Sequence, residues 1–125
     1  MPYEDDQENP ADDFLNKAWG ASTPSKRANL ARKALKIDPN LIDAYVVLAM
    51  SVNTLAEEIS LLRESVRIGD KVWIEERKRP KQSYFWRDGE TRPYMRAIHN
   101  LALALWKRGE REEAARLADY LIYLN

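Results

Sequence analysis

Between residues 77 and 87, five basic side chains, Arg77, Lys78, Arg79, Lys81 and Arg87, accompany the rings of Tyr84, Phe85 and Trp86. Cations that follow a phosphate backbone, with ring faces on which bases stack, are what single-stranded nucleic-acid binding uses. Arg77, Arg79, Lys81, Tyr84 and Trp86 are therefore the chain's sharpest chemical lead. The same residues have two other uses. A loop that folds back would bury its aromatics, with Trp73, between the helices on either side, and an exposed loop could touch a protein or peptide. The charge balance speaks against nucleic acid, because 20 Lys and Arg are matched by 20 Asp and Glu, far from the basic excess of a dedicated binder.

No other group of residues supports chemistry. His99 is the only histidine and cysteine is absent, so one chain can assemble neither a histidine pair for zinc nor a Cys-His nucleophile. The pairs Glu57-Glu58 and Glu112-Glu113 resemble acid/base couples, but both fall in first turns of expected helices, where carboxylates favour the positive end of the macrodipole. No Gly-rich phosphate loop, dinucleotide fingerprint or metal-carboxylate loop occurs. The chain is expected to be non-enzymatic, with no catalytic, cofactor-binding or metal-ligating residue.

The elements that would position these residues are helices. Phe14, Leu15, Ala18 and Trp19 recur at helical spacing in a first helix from about Ala11, ended by Gly20 and Ser22. Thr23 before Pro24 reads as an N-cap followed by proline in the first turn, and the second helix runs to about Ile37. A third starts after Asp38-Pro39-Asn40 and reaches about Asn53. The fourth begins at Ala56 with Ile59, Leu62, Val66 and Gly69 on one stripe, and continues past Gly69 to at least Trp73 and about Glu76, despite the ~1 kcal/mol that a mid-helix glycine costs. Pro93 opens a fifth helix, Gly109 closes it, and a sixth completes the chain.

Two of these segments share a pattern. Ile98, Leu101, Ala102, Leu105, Gly109 and Ala114 set large, small and turn residues where the tetratricopeptide repeat sets them, and Tyr45, Leu48, Ala49 and Val52 repeat the first four places. Tyr45 and Ile98 lie 53 residues apart, against a repeat period of about 34, so roughly 19 residues are inserted. The chain thus resembles a tetratricopeptide-repeat protein over residues 11–125. More narrowly, AYVVLA, the long fourth helix, ETRPYMRA and LALALWKRGEREEAARLADYLIYLN resemble bacterial relatives of the suppressor of tumorigenicity seven family.

The resemblance implies an all-α superhelix of three imperfect hairpins, with an extended helix and loop (about 70–92) inserted between the second and third. It also implies a concave groove, lined by the first helix of each hairpin, that holds a peptide or protein segment. On this chain the groove positions are Asp43, Val46, Val47, Met50 and Asn53, then Arg96, His99, Asn100, Leu103, Trp106 and Lys107. A clamp for a chaperone's terminal carboxylate is not expected, since Val46 and Met50 stand where that clamp needs Lys and Asn. Leu15 also stands where the signature has a small residue.

Composition sets the remaining bounds. With 45% hydrophobic and 32% charged residues in 125, the chain suits one folded domain, here 11–125 behind a flexible acidic tail at 1–10. The longest uncharged run, 44–56, is too short for a bilayer span, and a cytoplasmic location is expected. Residues 1–62 hold 6 basic and 10 acidic groups and residues 63–125 hold 14 and 10, an asymmetry that can orient partners. Repeat arrays finish in a polar-faced cap, so a last helix with Leu117, Leu121 and Leu124 half covered is expected to self-associate. The expected function is a protein-interaction adaptor; the alternatives are a structural subunit of a larger assembly and a nucleic-acid accessory protein.

Overall fold

The computed structural model describes residues 9–80 and 84–125. Most of the expected acidic tail, and Lys81, lie outside those residues. Six α-helices follow in order: α1 (Pro10–Trp19), α2 (Pro24–Ile37), α3 (Ile42–Ala49), α4 (Leu55–Gly69), α5 (Arg92–Arg108) and α6 (Arg111–Leu124). A π-helical segment, Asp70–Glu76, continues α4 directly. Among the described residues no helix is long and apolar enough to cross a membrane.

Local chemistry sets most boundaries. The Asn9 side chain accepts from the Ala11 N–H at 2.8 Å, Thr23 Oγ1 from the Lys26 N–H at 3.2 Å, and Thr54 Oγ1 from the Glu57 N–H at 3.2 Å. Each satisfies one of the donors that a helix start leaves open. Gly109 ends α5 at φ +91°, and the Glu110 N–H closes back on the Leu105 carbonyl at 2.9 Å. That left-handed turn suits glycine because it has no Cβ.

Two expectations need correction. Helix α3 stops at Ala49 rather than near Asn53. Ser51 Oγ turns back onto the Val47 carbonyl at 2.9 Å and Thr54 caps the next helix, so Ser-Val-Asn-Thr serves the link rather than the helix, as short polar side chains do when they compete for backbone groups. The fourth helix does run past Gly69 to Glu76, but with π geometry from Asp70: the Arg77 N–H reaches the Val72 carbonyl at 3.1 Å. Two residues past its end stands Lys78, whose φ of +48° is left-handed. Such a conformation costs an L-residue roughly 1–2 kcal/mol, so Lys78→Gly is expected to raise stability by about 0.5–1 kcal/mol once glycine's extra chain entropy is subtracted. A urea melt showing no gain would place the strain elsewhere.

The core divides into two clusters that meet at α3. Ala44, Val47 and Leu48 join Leu15, Ala18, Ala28, Ala31 and Ala34 of α1 and α2. Ile42, Val46 and Ala49 join α4, α5 and α6 in the larger cluster, which also takes in Trp73 and Phe85. Apolar on both sides, α3 holds its short length through packing rather than propensity. Helix α5 lies against α3, α4 and α6. Arg63 of α4 grips Glu113 of α6 with two bonds, at 2.6 and 3.0 Å, and this hydrogen bonding is what chiefly holds the Glu113 carboxyl's pKa below its ordinary value.

The insertion is folded in. Thr91 Oγ1 donates to the Phe85 carbonyl, and the Trp86 N–H reaches Asn125 Oδ1 at 3.4 Å, so the segment lies across the end of α6. Leu124, expected to be half covered, is fully buried there, while Leu117 and Leu121 are partly covered as expected; Ile122 and Tyr123 are the exposed residues instead.

Candidate interaction seam between α3 and α5

Helix α5 presents Pro93, Arg96, Asn100, Leu103 and Lys107 at helical spacing on one stripe. Asp43 in the first turn of α3 and Met50 at its C-cap answer it. At one end Arg96 Nε stands 3.3 Å from Asp43 Oδ1, and the Arg96 guanidinium also lies 5.9 Å from the Trp19 ring of α1. Asp43 is only 8% exposed. Burial raises its carboxyl's pKa above the ordinary range and Arg96 offsets part of that rise. At the other end a hollow of about 270 Å³ opens between α3, α4 and α5, walled by Met50, Glu58, Asn100, Leu103 and Lys107 over a floor of Val46, Ala49 and Leu62. Met50 is 53% and Leu103 49% exposed, so two apolar anchors stand open beside one cation and one carboxylate.

The groove positions read from the sequence do not all come together. Met50, Asn100, Leu103 and Lys107 line the hollow, as does Val46 from its floor; Val46 and Val47 are themselves fully buried. Asp43 and Arg96 pair with each other. His99 and Trp106 turn away to a second hollow of about 280 Å³, between α5 and α6, with Ala114, Ala115 and Ala118; Leu103 is the ridge that both hollows share. Asn53 is exposed in the α3–α4 link and joins neither. Glu58 and Trp19 belong to the seam and were not read from the sequence. Glu58 sits one turn into α4, where a carboxylate has a helical reason to be, and only the approach of α5 makes it a wall.

The basic-aromatic loop is largely engaged with itself. Arg77 stacks on Trp73 at 4.8 Å, Arg79 on Phe85 at 5.0 Å and Arg87 on Tyr84 at 5.0 Å. Arg79 also pairs with Asp88 at 2.6 Å. The Asp88 carboxyl is held below its ordinary range first by the Glu90 N–H and then by Arg79. Phe85 and Trp73 are buried, whereas Tyr84 and Trp86 stay exposed.

A family model described as ST7 protein matches residues 2–122. The chain belongs to the ST7 protein family. The matched span takes in α1 through most of α6 together with the π-helical segment and the loop, so the ST7 match covers the seam and the insertion alike. No curated protein and no solved structure shows significant similarity to the chain.

Proposed function

We propose that this ST7-family chain is a non-enzymatic interaction module, a tetratricopeptide-like scaffold that docks a protein segment along the α3–α5 seam. The observation that carries the reading is the hollow between α3, α4 and α5, where Met50 and Leu103 stay exposed on otherwise well-packed helices. An apolar hollow with a few polar groups at its edge is the usual form of a recognition site, and helix-lined grooves take segments by such anchors. The burial of Ala49 and Ala102, the small residues of the two repeat matches, and the glycine turn at Gly109 support the repeat reading.

The test compares capture of partners from the host by the wild type, Leu103→Asp and Lys107→Glu, with Lys36→Glu on α2 as control. Both seam variants are expected to lose capture by about tenfold or more, the scale of a central contact, with unchanged circular dichroism because both positions are exposed. Arg96→Glu is unsuitable, since it would set a carboxylate against buried Asp43. Leu101→Ala, by contrast, truncates a buried side chain and is expected to cost about 2–5 kcal/mol of stability. Capture undiminished in both seam variants would move the site elsewhere.

A further inference from the structure

A third cavity, of about 290 Å³, lies at the opposite end of the seam, where the N-terminal ends of α1, α3 and α5 meet the π-helical segment. The insertion builds its wall: Trp73 and Val72 come from the segment that continues α4, and Pro93 faces them from the first turn of α5. Among the described residues the charged side chains on the lining are Asp12, Asp43 and Glu90, with no Lys, Arg or His. Asp12 and Asp43 stand in first helical turns, where the dipole favours a carboxylate. Glu90 lies outside the helix, immediately before the Thr91 cap of α5.

Asp43 adds an independent observation. Although 8% exposed, its Oδ1 accepts no hydrogen bond, and Arg96 Nε at 3.3 Å donates none. The two attract as an ion pair but are not aligned to hydrogen-bond, so the Asp43 oxygen keeps acceptor capacity that no described donor uses, and buried acceptors without donors are costly. The Trp73 ring holds the Arg77 guanidinium at 4.8 Å from outside the cavity wall, so that ring already takes part in cation–π contact within this chain.

We propose that this cavity receives a basic side chain, arginine or lysine, of the protein segment that docks along the seam. The inference rests on the docking reading given above and adds the partner's chemistry to it. The methylenes lie against Trp73, Val72 and Pro93, and the charged head is set among Asp12, Asp43 and Glu90, the division of apolar stem and polar tip that long cationic side chains favour. Met50 follows Asp43 by seven positions, about 10 Å along a helix. An extended segment covers that distance in about three residues, so the partner carries a basic residue about three positions from a large apolar one, the apolar residue entering beside Met50 and Leu103.

Random dodecapeptides displayed on phage and selected on the whole chain test both levels. The expected peptides share that basic-to-apolar spacing. Their affinity falls about tenfold when their basic residue is replaced by citrulline or norleucine, and by a similar factor on a chain carrying Asp12→Asn with Glu90→Gln. Both substituted positions lie outside the core, and circular dichroism checks the fold. Peptides that need Leu103, shown by loss on Leu103→Asp, yet are indifferent to citrulline and to the double variant, overturn the cationic pocket and leave the docking reading standing. A selection that yields no peptide, or peptides indifferent to every variant, overturns both.

Discussion

Gly69→Ala is expected to destabilise the protein by about 2–3 kcal/mol, although alanine is the better helix former by about 1 kcal/mol. A Cβ at this position would stand 2.1 Å from Tyr94 Cδ1 and 2.8 Å from Cε1, and the ring cannot retreat. Tyr94 is fully buried against Phe85, its hydroxyl donates to Asp70 Oδ1 at 2.5 Å, and Tyr120 Oη lies 3.4 Å away. Burial first and then Asp70 hold the Tyr94 hydroxyl in its protonated form, which keeps that donor in place. The glycine is therefore the point at which the long helix passes a ring of α5, and Asp70, the next residue, is where π geometry begins. Urea melts of Gly69→Ala, Tyr94→Ala and the pair form the check. Because the clash needs both side chains, the double variant is expected to cost less than the two single costs added together. A Gly69→Ala chain that melts at or above the wild type would remove this account of the glycine.

That contact also shows what the sequence can and cannot reveal. The apolar stripe through Val72 and Trp73 announces a helix that ignores Gly69, and the extension to Glu76 is present. The reason for the glycine lies 25 positions away at Tyr94, beyond any local pattern, and so does the switch to π geometry. Thr23-Pro24, Asp38-Pro39-Asn40 and Gly109 carry their own turn chemistry, and the helix ends they set fall within one or two residues of expectation. The Ser51 to Thr54 link misleads because its polar side chains can serve either a helix face or two helix ends, and capping decides between them.

The seam was legible in the same partial way. Periodicity puts Arg96, Asn100, Leu103 and Lys107 on one stripe of α5, and they do share it. It cannot say that His99 and Trp106 turn toward α6, or that Val46 becomes a buried floor, since both depend on which helices flank α5 and α3. Asp43 reads as a groove position. Its burial follows from Arg96, 53 positions away, and from Trp73, carried in by the insertion.

Phe85→Ala is expected to cost about 3–5 kcal/mol, with a fall in melting temperature of at least about 10 °C. The ring is fully buried, its centroid lies 6.2 Å from that of Tyr94, and the Arg79 guanidinium covers it at 5.0 Å. The backbone around it is pinned by Thr91. Trp86→Ala, at a ring 38% exposed, is expected to cost only about 1–2 kcal/mol. The contrast separates the two uses of the basic-aromatic run, because a packing role puts the energy in Phe85 and a stacking role puts the function in Trp86 and Tyr84. Anisotropy titrations with labelled single strands at two salt concentrations complete the test. With Arg79 paired to Asp88 and Arg87 lying on Tyr84, few cations are left for phosphates. No binding is expected near physiological salt, and any binding at low salt is expected to have a log-log slope of magnitude no more than about 3–4. Micromolar affinity that falls with salt and vanishes in Trp86→Ala, while that variant melts like the wild type, would reverse the assignment and make the insertion a nucleic-acid contact.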